Sequence, residues 1–348
     1  MKDFEMNIQL FAAGTLVNAT SAYVNSDTGT ITAFDGVNSL SPTMKTFYDK
    51  DLLENSRNDL YFAQFGKKEP LPANNGRTKE WRKWNTLPNA SVLQEGVIPT
   101  GEKLGQTTLS SSLEQHGLFV AITDVLELHA VDNVLLGASE ELGASAAETM
   151  DTLIRNVLQQ GTNVMYCDTV AADGTRTAVT GYAGMKADNN RLTPNMVNKA
   201  ATWLKKCKVP KINGKYVAII HPSVSYDLRD SKGWEEVHKY AATTEIFNGE
   251  IGELHGVRFV ESNNAKITDQ GGTIVYSTIF MGKDAYGIID PEGGGLEMIV
   301  KDKRQIGGPL EQYSTAGYKF EESTKILYQE RLLRVESCSE YSTVDDPN

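Results

Sequence analysis

The sequence predicts an α+β fold, in which one long helix precedes a region of alternating helices and strands. The long helix is predicted over residues 132–161, where apolar side chains recur mostly at three- and four-residue steps. A strand-like run at residues 118–122 leads into the helix, and further strands are predicted after it, of which the clearest is the uninterrupted apolar run at residues 216–220. Ahead of the helix lie an almost uncharged segment and a basic segment that are too poor in apolar residues to form a core. A packed C-terminal part and extended N-terminal segments are therefore expected.

The elements after the long helix alternate in type. Thr193 and Pro194 form a good helix start, with Thr193 as the N-cap and Pro194 at the first helical position. His221 and Pro222 open a short helix that is predicted to run through Leu228. Further strands are predicted at residues 257–260, 273–281, 286–289, 296–300 and, as one long final strand, 325–335.

Length, charge and cysteine content limit the function. With 348 residues, 40% of them hydrophobic, the chain can form one large domain or two of ordinary size. The net charge of −11 argues against tight, extended DNA binding, which phosphate neutralisation by basic residues drives, but it is compatible with enclosing DNA. Cys167, Cys207 and Cys338 are far apart, which favours buried hydrophobes in a reducing cytoplasm over disulfides or zinc. We expect no secretory signal and no membrane span.

The N-terminal part reads as two segments. Residues 12–43 are rich in Ser, Thr, Asn, Gly and Ala and carry only Asp27 and Asp35 as charges. Such a segment is either a disordered tail or an arm that orders against neighbouring subunits. A helix is then predicted from Ser41 and Pro42 to about Gly66, where the glycine can end it.

The basic segment is a candidate contact surface. Residues 67–83 carry six basic residues against two acidic ones, and Asn75 and Gly76 predict a hairpin turn within them. With the Gly- and Pro-rich stretch that follows, the excursion lasts about 45 residues, which is unusual inside a compact domain. A nucleic-acid patch is one interpretation, and a basic loop that docks on an acidic copy of the same chain is the favoured one. The candidate interface residues are Lys67, Lys68, Arg77, Lys79, Trp81, Arg82, Lys83 and Trp84.

Motifs for catalysis are missing from the sequence. The five histidines form no metal-binding pair, and Gly282 and Lys283 are followed by Asp284 rather than by the Ser or Thr of a phosphate-binding loop. His221, at the end of a strand, is either a catalytic residue or, the favoured interpretation, a histidine that caps the following helix. We therefore expect no enzyme, no cofactor and no metal.

Several blocks of sequence resemble a known family. They are MNIQLFAA from residue 6, YVAIIHPSVSYDLR from 216, GEIGELHGVRFVES from 249, GKDAYG from 282, and GPLEQY, GYKF and LLRVE between 308 and 336. In this order and spacing they are similar to the major capsid proteins of tailed bacteriophages, in particular the N4-like coat protein family. The resemblance covers most of residues 45–340.

The resemblance implies the Hong Kong 97-type capsid fold. Its parts would be an N-terminal arm (residues 1–45), a helix leading into the peripheral domain (46–65), an extended loop (66–113), the peripheral domain (114–192) with its spine helix (132–161), the axial domain (193–306), and return strands with a tail (307–348). It also implies a virion protein that assembles in the host cytoplasm into hexamers and pentamers around double-stranded DNA. Portal, scaffolding and decoration proteins are the implied partners. The alternatives are the shell of an encapsulin-type nanocompartment and, less favoured, an α/β hydrolase or ligand-binding domain that uses His221.

Overall fold

The computed structural model describes residues 60–129, 134–231, 250–306 and 310–348, apart from positions 73, 75, 85, 86, 91, 93, 94, 97, 99, 100 and 172. The predicted N-terminal arm and nearly all of the helix expected to follow it lie outside these residues. The helices are α1 (Asp124–His129), α2 (Val134–Leu158), α3 (Pro194–Lys206), α4 (Pro222–Asp230) and α5 (Lys303–Ile306). Single 3-10 turns occur at Phe62–Gln64, Tyr182–Gly184 and Gln329–Arg331.

The strands begin in the basic segment and continue to the C-terminal part. They are β1 (Lys67–Leu71), β2 (Thr78–Trp84), β3 (Gln106–Ser112), β4 (Glu114–Thr123), β5 (Val164–Tyr166), β6 (Thr169–Val170), β7 (Arg176–Thr177), β8 (Tyr216–Ile220), β9 (Glu250–Leu254), β10 (Val257–Glu261), β11 (Ile267–Asp269), β12 (Ile274–Met281), β13 (Tyr286–Pro291), β14 (Glu297–Lys301), β15 (Tyr313–Glu322), β16 (Thr324–Ile326) and β17 (Leu332–Ser337).

The described residues divide into two compact units, and the first comprises residue 60 and those described within 114–152 and 290–322. Its antiparallel sheet has the order β14-β15-β4, and β15 pairs with β4 over ten residues. The part of α2 within this unit buries Leu142 and Ala146, as its apolar periodicity requires. The Ser145 hydroxyl lies 3.2 Å from that of Tyr318 on β15, so helix and sheet are also joined by a hydrogen bond.

The second unit comprises the described residues within 61–113, 153–231, 250–289 and 323–348. Its seven-stranded mixed sheet has the order β5-β17-β12-β8-β10-β9, and β11 pairs with β12. All five residues of β8 are buried, which fits an apolar strand covered on both faces. Helix α3 packs on this sheet through Met196, Val197 and Leu204. A three-stranded sheet with the order β1-β13-β16 and the pair β2-β3 complete the parts that bear on the candidate interface.

The prediction of one long final strand over residues 325–335 is wrong, because the structure has two separate strands there, β16 and β17. Strand β16 pairs with β13 in the small sheet, whereas β17 pairs with β12 and β5 in the large one. Between them the backbone N–H groups of Leu327 and Tyr328 both donate to the carbonyl of Ala285, and a 3-10 turn follows. The break falls at the polar residues of this turn, Gln329, Glu330 and Arg331, between two apolar stretches that each pair with a different sheet.

Candidate subunit interface

A two-stranded hairpin forms in the basic segment. Strands β2 and β3 pair in antiparallel register over seven residues, from Thr78 opposite Ser112 to Trp84 opposite Gln106. The turn predicted at Asn75 and Gly76 does not join this pair. The backbone has positive φ at Asn74 and Gly76, but β1 before it pairs with β13 and only β2 after it enters the hairpin. The chain thus passes from one sheet to another between β1 and β2, instead of joining two strands of one hairpin.

Trp81 anchors the hairpin to its own subunit. Its side chain is 6% exposed and packs with Leu71, Leu113, Ile289 and Leu327. The indole also lies against Gly287 of β13, where an added Cβ would approach the ring to 3.1 Å. The expectation that Trp81 contacts another subunit is therefore corrected: successive strand residues point to opposite faces, and this one points into its own fold.

The outer face of the hairpin carries the side chains that are open to a partner. On β2 these are Thr78, Glu80, Arg82 and Trp84, which alternate with the inward-facing residues. Trp84 is 58% exposed, a large fraction for a tryptophan. We call this set the outer face. It combines an exposed aromatic with a guanidinium group two residues away on the same side of the strand.

Most of the predicted basic candidates make contacts within the chain. Arg77 donates to the carbonyl of Leu113 at 3.0 Å, and Lys79 donates to that of Pro70 at 3.2 Å. Lys67 pairs with Glu69 at 2.5 Å, and the hydrogen bond to Glu69 raises the pKa of this lysine.

Lys83 is held by the chain that follows β16. Its ammonium group lies 3.4 Å from Glu330 and 4.4 Å from the centre of the Tyr328 ring. This inward-facing lysine therefore fastens the hairpin to its own fold. Five members of the predicted set are exposed, namely Lys67, Lys68, Arg77, Arg82 and Trp84, and of these Lys67 and Arg77 make the contacts within the chain given above.

A cavity of about 550 Å³ lies beside the inner face of the hairpin, lined by β3, β16, the end of α2 and the 3-10 turn that precedes β17. The Thr324 hydroxyl group at its wall is buried and has no hydrogen-bond partner. The lining contains no histidine, and its carboxylate, Glu330, already faces Lys83. The cavity therefore offers no acid–base pair of the kind that hydrolysis needs.

His221 caps a helix, as the favoured interpretation predicts. Its Nδ1 accepts a hydrogen bond from the backbone N–H of Ser223 at 3.2 Å, at the start of α4. Burial lowers the pKa of this histidine. Among the described residues no three His, Cys, Asp or Glu side chains cluster as metal ligands. Within the same part of the chain, no helix has both the length and the hydrophobicity that a membrane crossing requires.

One sequence family accounts for these features. The phage capsid protein family matches residues 106–319, which is more than half of the 348-residue chain. The chain belongs to the phage capsid protein family. The match begins at the first residue of β3 and ends within β15, so it includes α2 and most strands of both units. This phage capsid protein is a structural subunit, and no curated protein sequence matches it significantly.

Solved capsids share the fold of this phage capsid protein. It is similar to the capsid of the cyanophage P-SCSP1u, with a TM-score of 0.58, 14% identity, and coverage of 92% of this chain and 98% of that one. The capsid of Ralstonia phage GP4 gives a TM-score of 0.58 at 16% identity, covering 84% and 93%. Mycobacterium phage Che8 gives 0.55 at 17%, covering 80% and 91%. The α+β, Hong Kong 97-type fold predicted from the sequence is confirmed.

The contacts that the sequence could not indicate join distant residues. Lys83 and Glu330 are 247 positions apart, and nothing in either local sequence signals their pairing. The placement of Trp81 and Trp84 on opposite faces could have been predicted from the sequence, because side chains alternate between the two faces of a strand. Applied to residues 78–84, that alternation places 79, 81 and 83 on one face and 82 and 84 on the other.

Proposed function

We propose that the chain is the major capsid protein of a tailed phage, and that its copies form the hexamers and pentamers of an icosahedral head around double-stranded DNA. The family match over residues 106–319 carries this proposal. The net charge of −11 is consistent with a shell that encloses DNA without gripping it. On this basis the protein is a virion component without enzymatic activity, made in the host cytoplasm, and portal, scaffolding and decoration proteins are its expected partners.

The domain assignment follows the same proposal. Residues 66–113, which contain the β2–β3 hairpin, are the extended loop, and α2 is the spine helix of the peripheral domain (residues 114–192). Residues 193–306 form the axial domain, residues 307–348 are the return strands and tail, and residues 1–45 and 46–65 are the arm and the helix leading in. The order of the quoted sequence blocks supports membership of the N4-like coat proteins within the phage capsid proteins.

The outer face of the hairpin is the part of the loop that we assign to a neighbouring subunit. Tryptophan and arginine dominate the energetics of protein interfaces, and Trp84 and Arg82 present both from one face. Residues on the inner face hold the hairpin to its own subunit, so the loop can keep its shape while its outer face is covered.

A paired substitution tests this assignment. The double variant Arg82→Ala/Trp84→Ala should remain a folded, soluble subunit, because both side chains are exposed, and should form few or no shells by negative-stain microscopy. Lys83→Met on the inner face of the same strand is the matched control. It removes one ion pair to a largely exposed partner while the buried cluster around Trp81 still holds the hairpin, so it should assemble normally. Normal particle yield from the double variant would overturn the interface assignment.

An encapsulin-type nanocompartment is the second candidate, because it would use the same fold. Particles purified from the native host distinguish the two, since a phage head contains genome-length double-stranded DNA and a nanocompartment contains protein cargo. Nuclease-protected DNA in the particles supports the phage head, and enzyme cargo without DNA supports the nanocompartment.

A further inference from the structure

The last residues of the sequence form a strap across the second unit. Residues 339–348, which we call the tail segment, follow β17 without regular secondary structure. The Ser339 hydroxyl donates to the carbonyl of Ser223 at 3.0 Å, and the N–H of Glu340 donates to the Asp227 carboxylate at 3.1 Å. The first anchor of the tail segment is thus helix α4.

The central anchor is the carboxylate of Asp345. One oxygen accepts hydrogen bonds from the hydroxyl groups of Tyr276 at 2.6 Å and Ser223 at 3.0 Å, and the other accepts from Ser342 at 2.5 Å. Burial alone would raise the pKa of Asp345, but the hydrogen bonds from these three hydroxyl groups outweigh it and lower the pKa. Tyr276 comes from β12, so a strand of the central sheet and the start of α4 together recognise one charged group.

The third anchor resembles the addition of a short strand. The side-chain oxygen of Asn348 accepts from the N–H of Ile267 at 2.9 Å, its side-chain nitrogen donates to the carbonyl of Ala265 at 3.3 Å, and its backbone N–H donates to the carbonyl of Ile267 at 3.4 Å. Ile267 begins β11, which pairs with β12. Asn348 therefore satisfies both backbone groups of Ile267 in β11 and the carbonyl of Ala265 just before it, as peptides do when they extend a sheet.

Apolar burial contributes little to holding the strap. Its large apolar side chains, Tyr341 and Val344, are 67% and 84% exposed. Tyr341 does lie beside Tyr226, with ring centres 5.2 Å apart, but Tyr226 is itself 47% exposed. A segment fixed by polar contacts over a surface can open without disrupting the core.

We propose that the groove formed by α4, β11 and β12 is a recognition site for the tail segment, and that it opens to accept the same segment from a second copy of the chain. An identical segment presents the identical carboxylate and amide groups, so exchange between copies loses no contact. The exchange rests on the proposed function in one respect: a shell brings many copies of the chain together at high effective concentration, so that a second copy is within reach.

Peptide binding to unassembled, full-length subunits tests the groove. The probe is a fluorescent peptide of residues 339–348. The peptide should bind the Asp345→Ala chain about tenfold or more tightly than the wild-type chain, because the strap of the wild-type chain is intact and competes with the peptide. A tenfold change in affinity corresponds to the loss of one hydrogen bond to a charged group. A peptide that carries Asp345→Ala should bind neither chain, and a Val344→Ala chain, changed at an exposed position, should behave as wild type. Equal or undetectable binding of the peptide to the wild-type and Asp345→Ala chains would overturn the inference.

Amide hydrogen exchange on the wild-type chain tests opening without any substitution. The N–H groups of Ile267 and Glu340, which the strap contacts satisfy, should exchange at least about a hundredfold faster than those of β8, because they need only local opening. Protection equal to that of β8 would contradict an opening strap. Shells from a chain whose groove binds no peptide would overturn this inference alone, and a chain that binds peptide but never assembles would overturn the proposed function alone.

Discussion

Trp81 and Trp84 lie three residues apart on one strand, and replacing each with alanine should produce different defects. Trp81 is 6% exposed and packed on four apolar side chains, so Trp81→Ala should lower the free energy of unfolding by about 3–5 kcal/mol. Trp84 is 58% exposed, so Trp84→Ala should cost less than about 1 kcal/mol. The structure thus predicts a difference of at least about 2 kcal/mol between two chemically identical substitutions.

Urea unfolding of the unassembled subunit, followed by intrinsic fluorescence and circular dichroism, measures this difference. Particle yield measured in parallel separates the two roles. Trp81→Ala should lower both stability and yield, whereas Trp84→Ala should lower yield alone. Equal destabilisation by the two substitutions, or a larger loss from Trp84→Ala, would refute the inward and outward assignment of the two side chains.

Three further predictions concern single residues. Glu322, 6% exposed, has a pKa raised by burial from 4.5 to about 8, so the folded chain retains a proton that the unfolded chain releases. The free energy of unfolding should therefore fall as pH rises from 4.5 to about 8, by up to about 1.4 kcal/mol per pH unit. Glu322→Gln should remove this decrease when urea unfolding is measured at pH 5, 6.5 and 8. Parallel pH profiles for variant and wild type would contradict the reasoning. Gly287→Ala should lower the free energy of unfolding by about 1–3 kcal/mol, because the added methyl group pushes on the Trp81 indole. In a Trp81→Ala background this loss should disappear, and additive losses in the double variant would exclude the contact. Lys83→Met should cost less than about 1 kcal/mol, because its partner Glu330 is largely exposed, and a loss that is unaffected by added salt would argue against the ion pair.

Patterns that depend on local periodicity could be read from the sequence. The predicted helix over residues 132–161 corresponds to α2 (Val134–Leu158), and Gly137 and Gly143 do not interrupt it. The Thr193–Pro194 start matches α3, and the run at 216–220 coincides with β8. In each case the side-chain pattern and the end signal come from the same short stretch, so no distant contact is needed to define the element.

Features that depend on which strands meet could not be read in this way. The split of the last predicted strand follows from two N–H groups that share the carbonyl of Ala285, some forty residues earlier in the chain. The clamp on Asp345 joins it to Ser223 across 122 positions. Of the candidate interface residues, the sequence identified a cluster, and side-chain alternation could have placed Trp84 and Arg82 on one face and Trp81 and Lys83 on the other. Which face is held by its own subunit depends on distant partners such as Glu330, 247 positions from Lys83.

Negative-stain electron microscopy of the purified full-length protein over a range of concentrations, together with light scattering, tests the central claim most directly. A capsid subunit should form closed, uniform shells with icosahedral outlines, built from hexameric and pentameric units. A single species with the mass of one 348-residue chain at every concentration, with no shells when the protein is produced together with its phage partners, would contradict the account.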